Sequence, residues 1–224
     1  MTVSKITLPQ SVSLETWREA RQELLAKEKE LTRALDALAA ERRRLPMVPV
    51  EEDYAFTGPE GEVSLVDLFH GRRQLIVYCA MLEPGAAPCE GCSMVMDNVG
   101  HNLSHVTARD TAFVFTSPAP QNEIIALQKR MGWSAPWYTD QGRRFADAFG
   151  AGKGFAVNVF IRGDDNRVYL TYFTTARGGE LFDTHFRLLD LTPYGRQEPW
   201  EDSPEGWPQT PPYEWWLLRD EYDM

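Results

Sequence analysis

The chain has 224 residues, enough for one sizeable domain with appendages, and 43% hydrophobic and 25% charged residues, which is ordinary for a globular protein. Its net charge of −10 argues against binding to nucleic acid or to an anionic membrane surface, because both require basic patches. No apolar run reaches the ~20 residues that a membrane-spanning helix needs, and the first residues contain no apolar secretory signal. We therefore expect a cytoplasmic protein, whose thiols are kept reduced.

Residues 12–45 predict one long helical arm. Ser13 is a suitable N-cap, the interior lacks Gly and Pro, and Pro46 ends the pattern. Large apolar residues recur at every seventh position, namely Trp17, Leu24, Leu31, Leu38 and Leu45. The companion heptad position holds both apolar and charged residues, namely Ala20, Lys27, Ala34 and Glu41. The stripe therefore predicts a helix that docks on a surface, not a strong autonomous coiled coil. That surface is either a second copy of the chain, which would make a homodimer, or the chain's own domain.

The next part of the chain alternates between predicted strands and helices. An extended segment and a short helix flank the turn "TGPEGE", and "RQLIVYCAM" then predicts a strand buried on both faces. A helix over 93–105, the strand "TAFVFTS" and the amphipathic helix "PAPQNEIIALQKRMGW" follow. The strands "FAVNVFIRG" and "RVYLTYFTTARG" flank the turn "GDDN" and precede a last helix, "LFDTHFRLLDLT". This order predicts a mainly parallel sheet covered on both faces, in a thioredoxin-like layout.

The end of the chain is a Pro- and Trp-rich acidic tail over residues 197–224, with eight acidic residues and one arginine. Its aromatic residues are too many for a solvated tail and predict packing on the domain or on a partner, or a lid over the cysteines. They are Trp200, Trp207, Tyr213, Trp215 and Trp216. We therefore divide the chain into an arm (1–46), a thioredoxin-like domain (47–196) and this tail (197–224).

The stretch "PCEGCSMVMDNVGH" places Cys89 and Cys92 two residues apart, where the predicted buried strand passes into a helix. The partial positive charge of a helix N-terminus favours a thiolate, which is the reactive form of cysteine. We predict that Cys89 is the nucleophile and that Cys92 is the resolving thiol. Glu90 lies between them and works against this, because a nearby carboxylate raises a thiol pKa. In the alternative interpretation, both thiols are buried and chemically inert.

A metal site is another alternative interpretation of the same residues. Cys89 and Cys92, with His101 and His185, offer soft ligands for copper as Cu(I) or for zinc. His101 and His105 are four residues apart and would share a helical face. No second cysteine pair follows, so a closed zinc site lacks its usual fourth ligand. Our leading interpretation needs no cofactor, and a third alternative is an interaction module that acts through its arm and tail.

Several motifs together resemble a bacterial thioredoxin-like family catalogued as domain of unknown function 899. They are "RQLIVY", the two-cysteine motif, "RMGW", "LDLTPYGR", "RDEYDM" and the helical arm. The resemblance implies a thioredoxin-like fold, a three-layer α/β sandwich, and a relation to thiol peroxidases. The expected substrate is a peroxide or a disulfide, and a thiol would supply the electrons.

Two features depart from the pattern that this resemblance implies. Thioredoxin-like enzymes usually carry a proline just before the third core strand, whereas residues 153–160 contain none. Family members often have a histidine where this chain has Cys79, a third thiol that would modify the chemistry of the pair. Arg177, in "ARGGE", completes our candidate catalytic residues, since a cation there would lower a thiol pKa or hold an anionic substrate.

Overall fold

The computed structural model describes residues 8–223. The first seven residues of the predicted arm lie outside the described part, and the expected lack of a secretory signal rests partly on them. The backbone divides into two compact units. One contains residues 1–46 and 189–212, and the other contains residues 47–188 and 213–224.

The first unit contains the long helix α1 (Leu14–Arg42). Its predicted N-cap is confirmed, because the Ser13 hydroxyl accepts a hydrogen bond from the Thr16 N–H at 3.1 Å. None of the helix's residues is buried, and the stripe of large apolar residues is exposed. In the second segment of this unit, the buried Arg196 guanidinium binds the Asp190 carboxylate at 2.8 Å.

The second unit is built around one sheet in the order β1-β8-β7-β4-β5-β6-β2-β3. The strands are β1 (Val48–Pro49), β2 (Ala55–Gly58), β3 (Gly61–Ser64), β4 (Gln74–Cys79), β5 (Thr111–Ser117), β6 (Trp137–Thr139), β7 (Ala156–Arg162) and β8 (Val168–Thr174). The prediction of a mainly parallel sheet is wrong. Only β4–β5 and β5–β6 are parallel, two of the seven neighbouring pairs within residues 8–223. The tight turns of the β2–β3 and β7–β8 hairpins allow only antiparallel pairing.

The helices of the domain match the predictions only in part. They are α2 (Glu90–Val99), α3 (Ser104–Thr107), α4 (Gln121–Met131), α5 (Arg144–Ala148) and α6 (Thr184–Leu189). Of these, α3 and α5 were not predicted as separate helices. The helix predicted over 93–105 is wrong in its bounds, since α2 begins earlier and its C-cap is Gly100. The short helix predicted within "GEVSLVDLF" is instead strand β3 followed by a 3-10 turn, Asp67–Phe69.

Two buried clusters cover the two faces of the sheet, so the predicted three-layer arrangement is confirmed. Alternate residues of β4 point to opposite faces. Cys79 belongs to one cluster, with Phe145 of α5. Tyr78 belongs to the other, with residues of α2 and α4 such as Cys92 and Ile124. The succession β4–α2–β5 followed by β7–β8–α6 is the thioredoxin-like fold. Among the described helices, none combines the length and apolarity needed to cross a membrane.

Candidate active site

Cys89 lies at the N-terminus of α2, where the sequence predicts it. It is the N-cap residue, with extended backbone angles (φ −71°, ψ 125°). Its Sγ accepts a hydrogen bond from the Cys92 N–H at 3.4 Å, in the way an N-cap oxygen does. The side chain is half-buried, so the prediction of an inert, fully buried pair does not describe this cysteine.

The surroundings of Cys89 lower the pKa of its thiol to about 6. The hydrogen bond with the Cys92 thiol has the largest effect, and the backbone N–H groups of Cys92 and Gly91 add to it. Burial and the Glu90 carboxylate raise the pKa, and Glu90 has the smaller effect. The predicted opposition from Glu90 therefore exists but is outweighed, and Cys89 is mainly a thiolate at neutral pH.

Cys92 is the protonated partner of this pair. Its side chain is buried, with 4% of the residue exposed. The Cys89 thiolate and burial hold the pKa of Cys92 well above its ordinary value. Its Sγ also accepts hydrogen bonds from the Met81 N–H at 3.4 Å and from the Tyr78 hydroxyl at 3.7 Å. The arrangement is a thiolate at the surface hydrogen-bonded by a thiol beneath it.

The third cysteine does not face this pair. Cys79 is on the opposite face of β4, in the other buried cluster. Its Sγ accepts a hydrogen bond from the Asn158 side-chain amide at 3.7 Å, and burial raises the pKa of the thiol to about 12. Cys79 is therefore a neutral core thiol without direct contact to the pair, and its effect on the chemistry of the pair stays a prediction. Side chains alternate along a strand, so Cys79 points to the face opposite that of Tyr78, and Cys92 packs on the Tyr78 face.

Two aromatic residues that the sequence interpretation missed lie behind the pair. Tyr78 is 1% exposed, and its ring stacks on Phe155 with an interplanar angle of 5° and a centroid distance of 5.4 Å. Phe155 comes just before β7, where thioredoxin-like enzymes carry the proline that this chain lacks. The Thr175 hydroxyl donates to the Phe155 carbonyl oxygen at 2.5 Å. The alternation along β4 was the available signal, because it puts Tyr78 on the face of the motif.

The last described residues of the chain pack on the motif itself. A Cβ atom on Gly91 would lie 2.7 Å from Cζ3 of Trp216, so the indole rests directly against the backbone between the two cysteines. Leu218 is buried in the same cluster as Cys92. The Arg130 side chain, on α4, forms a salt bridge with Asp220 at 2.7 Å. The C-terminal segment 213–223 is thereby attached to the domain next to the cysteines.

The other candidate residues have contacts of their own. The Arg177 guanidinium binds the Glu180 carboxylate at 2.7 Å. His185 shares a hydrogen bond with the Asn98 amide at 2.9 Å, and the His101 ring lies 3.3 Å from the Arg219 guanidinium. The prediction that His101 and His105 share one helical face is wrong, because Gly100 caps α2 before both.

The alternative metal set is not assembled in this structure. Within residues 8–223, no group of three or more His, Cys, Asp or Glu side chains is placed to hold a metal ion. Cys89 and Cys92 are together, and His101 and His185 make the separate contacts described above.

The structure is similar to parts of several solved structures. An exposed lipoprotein thioredoxin, Etrx1, from Streptococcus pneumoniae superposes with a TM-score of 0.42 and 10% identity, covering 56% of this chain and 90% of that one. Peroxidoxin BcpB from Mycobacterium tuberculosis superposes with a TM-score of 0.44 and 16% identity, covering 65% of this chain and 97% of that one. A mutant of PrxQ from Xylella fastidiosa superposes with a TM-score of 0.43 and 13% identity, covering 62% of this chain and 92% of that one.

A search of curated proteins found no match to this sequence. Residues 6–222 match the family described as "Bacterial protein of unknown function (DUF899)". This match spans almost the whole sequence, and it includes the arm, the cysteine motif and the C-terminal segment. The chain therefore belongs to this family.

Proposed function

We propose that the protein is a thiol–disulfide oxidoreductase in which Cys89 is the nucleophile and Cys92 is the resolving thiol. The observation that carries the proposal is the position of Cys89: a half-buried N-cap thiol with a pKa of about 6, hydrogen-bonded by a buried thiol of the next helical turn. A thiolate that is populated at neutral pH and adjacent to a second thiol has the two groups that disulfide exchange requires.

The proposed reaction oxidises the pair by two electrons and reduces the substrate by two. With a disulfide R–S–S–R′, the Cys89 thiolate attacks one sulfur, forms a mixed disulfide with it and expels R′–S⁻. Cys92 then attacks Cys89, the intramolecular disulfide forms and R–S⁻ leaves. The Cys92 proton ends on a product thiol. With a peroxide R–O–OH, the Cys89 thiolate attacks the terminal oxygen, the O–O bond breaks, R–O⁻ leaves and takes up a proton, and Cys89 becomes a sulfenic acid. Cys92 then attacks the Cys89 sulfur, the intramolecular disulfide forms and water leaves.

An external thiol, as the electron donor, would return the pair to the dithiol form. A cytoplasmic location would favour this step, because that compartment keeps thiols reduced. We assign to Arg177 a part in holding an anionic substrate, and no part in the pKa of Cys89. Its guanidinium is 63% exposed beside Glu180, and it is not among the largest causes of the pKa shift of Cys89.

The proposal is tested by turnover of a peroxide and of a small disulfide with a dithiol donor. The Cys89→Ser and Cys92→Ser variants are compared with Cys79→Ser, the matched control on the other face of the sheet. We expect turnover to be lost in Cys89→Ser and strongly reduced in Cys92→Ser, with Cys79→Ser equal to wild type. Unchanged turnover in both variants of the pair would refute the proposal.

The same preparations separate redox chemistry from the metal alternative. Elemental analysis of protein purified without chelators is expected to show no stoichiometric copper or zinc. One equivalent of either metal, lost in Cys92→Ser, would instead favour a thioredoxin-like metal carrier using the two cysteines with His101 or His185.

We also propose that the protein forms a homodimer through α1. The heptad residues Leu24, Leu31 and Leu38 are 51%, 59% and 42% exposed, a row of apolar side chains that a second copy would cover. Light scattering of a Leu24→Glu/Leu31→Glu variant is expected to give the mass of a monomer. A variant with Lys29→Glu and Arg33→Glu, which adds two glutamates on the opposite side of the helix, is the control and should keep the wild-type mass.

A further inference from the structure

One buried polar group beside the pair has no part in the chemistry described so far. The hydroxyl of Tyr78 lies 3.7 Å from Cys92 Sγ, and the residue is 1% exposed. The ring is held by stacking on Phe155, by a tilted contact with Phe115 at 5.4 Å between centroids, and by an edge contact with Phe182 at 6.5 Å. The hydroxyl is therefore aimed at the sulfur of the resolving cysteine by a ring that is fixed on several sides.

Cys92 needs hydrogen-bond donors more than any other group at the site. A buried anion is costly unless donors replace the water that it loses. The Met81 N–H and the Tyr78 O–H both point to Cys92 Sγ, at 3.4 Å and 3.7 Å. The Met81 donor is a backbone N–H, so it is present whichever side chain the residue carries. Tyr78 supplies the donor that depends on the sequence.

We propose that Tyr78 is a catalytic residue of the second step, whose hydroxyl stabilises the Cys92 thiolate as it attacks the mixed disulfide at Cys89. This inference rests on the function proposed above and deepens it, because it assigns a separate donor to each half of the reaction. Helix N–H groups serve the Cys89 thiolate, and Tyr78 together with Met81 serves the Cys92 thiolate.

The balance of the second step shows when the hydroxyl acts. Before it, Cys89 is joined to the substrate sulfur in the mixed disulfide Cys89–S–S–R and carries no charge. Cys92 loses its proton, the Cys92–Cys89 sulfur bond forms, the Cys89–SR bond breaks, and R–S⁻ takes up a proton. The negative charge passes through Cys92 Sγ only in this step, and the Tyr78 hydroxyl stabilises it there.

The electrostatics of the reduced pair agree with this order of events. The largest cause that raises the pKa of Cys92 is its hydrogen bond to the Cys89 thiolate, which disappears when Cys89 enters the mixed disulfide. Burial then still raises the pKa, while the Met81 N–H and the Tyr78 hydroxyl lower it. Tyr78 itself is faced by Cys92, Cys89 and Asp183, which together with burial hold its pKa well above the ordinary value. The phenol therefore stays protonated and remains a donor.

The test uses the full-length protein and the aromatic disulfide dithiobis(nitrobenzoate), which releases one coloured thiolate at each step. Tyr78→Phe keeps the ring and removes the hydroxyl. The first release, by Cys89, is expected to keep its rate and its pH midpoint. Loss of one hydrogen bond to an anion corresponds to about one pKa unit, so the midpoint of the second release is expected to rise by about that amount. The second rate at neutral pH should fall about threefold, because a more basic thiolate is also a better nucleophile.

Tyr138→Phe is the matched control. Its hydroxyl lies 3.2 Å from His70 Nε2, in the cluster on the opposite face of the sheet. Both releases are expected to match wild type. Incorporation of 3-fluorotyrosine at position 78 is the second variant, which keeps the side chain's shape and makes the hydroxyl a stronger donor. There we expect a lower midpoint for the second release, the opposite sign to Tyr78→Phe.

The outcomes separate the two proposals. If wild type releases two equivalents and Tyr78→Phe leaves the second phase unchanged, the role of Tyr78 is overturned and the proposed function stands. Equal slowing of both phases would also overturn it, because that is the result of a merely structural role. Wild type that releases a single equivalent, with no disulfide between Cys89 and Cys92, would overturn the proposed function and this inference with it.

Discussion

Two thiols near the end of β4 show how strongly position decides cysteine chemistry. Cys79 ends the strand and faces the cluster that contains Phe145, where burial raises the pKa of its thiol to about 12. Cys89 caps the helix on the other face, where a second thiol and helix N–H groups lower its pKa to about 6. The hydrogen bond from the second thiol, the helix N–H groups and partial exposure together make the second location reactive.

The largest expected effect is the difference in alkylation rate between these two thiols. At neutral pH the thiolate fractions differ by about 10⁵, and the lower nucleophilicity of Cys89 leaves a rate ratio of about 10² before burial is counted. Iodoacetamide labelling of the native reduced protein, followed by peptide mass spectrometry, should therefore modify Cys89 long before Cys79. Comparable alkylation rates for Cys89 and Cys79 would contradict the difference in reactivity that we infer for the two locations.

A methyl group on Gly91 should have the next largest effect. Its Cβ would meet the Trp216 ring at 2.7 Å, so Gly91→Ala is expected to lower the free energy of unfolding by about 1–3 kcal/mol. Trp216→Ala should remove most of that cost when the two are combined, which a double-mutant cycle in urea measures. Gly154→Ala, whose Cβ would lie 3.6 Å from its nearest neighbour, is the control. An additive pair would show that the two residues are not in contact.

The stability of the reduced protein should depend on pH through Cys89. Its folded pKa of about 6 is below the ordinary value of 9.0, so the unfolded chain binds more protons between these values and stability rises with pH there. Because the group is partly exposed, we expect a gain on the order of 1 kcal/mol between pH 6 and pH 9. Cys89→Ser should flatten this part of the profile, and Cys79→Ser should keep it.

The smallest expected effect concerns Arg177. Arg177→Ala should leave the pH midpoint of Cys89 alkylation unchanged, because the shift comes from the Cys92 thiol and the helix N–H groups. A role in holding substrate would instead appear as a higher KM for anionic substrates, by about threefold for one exposed charge pair. Neutral substrates serve as the control. A changed midpoint would show that the guanidinium acts on the thiolate directly.

The sequence predicts those features that rest on local patterns. The heptads and the Ser13 cap predict α1, the apolar runs predict β4 and β5, and the junction between strand and helix places Cys89 at a cap. Long-range pairing was not predictable in this way. β6 has three residues, too few to show a period, and the direction of the edge pairs depends on which strands meet.

The electrostatics of the site could be predicted only in part. The sequence shows Glu90 beside the cysteines and therefore its unfavourable effect, but not the hydrogen bond from Cys92 that outweighs it. It shows the tail's aromatic residues without showing that Trp216 rests on Gly91. The first contact depends on how the two thiols of one helical turn are oriented, and the second joins segments more than a hundred residues apart; composition and spacing bear on neither.

The most direct test of the account is the identity of the disulfide that forms when the reduced protein is titrated with a mild oxidant. We predict one intramolecular bond between Cys89 and Cys92, with Cys79 remaining a thiol throughout, as peptide mapping by mass spectrometry would show. Three free thiols after oxidation of the native protein, or a bond that includes Cys79, would contradict the account.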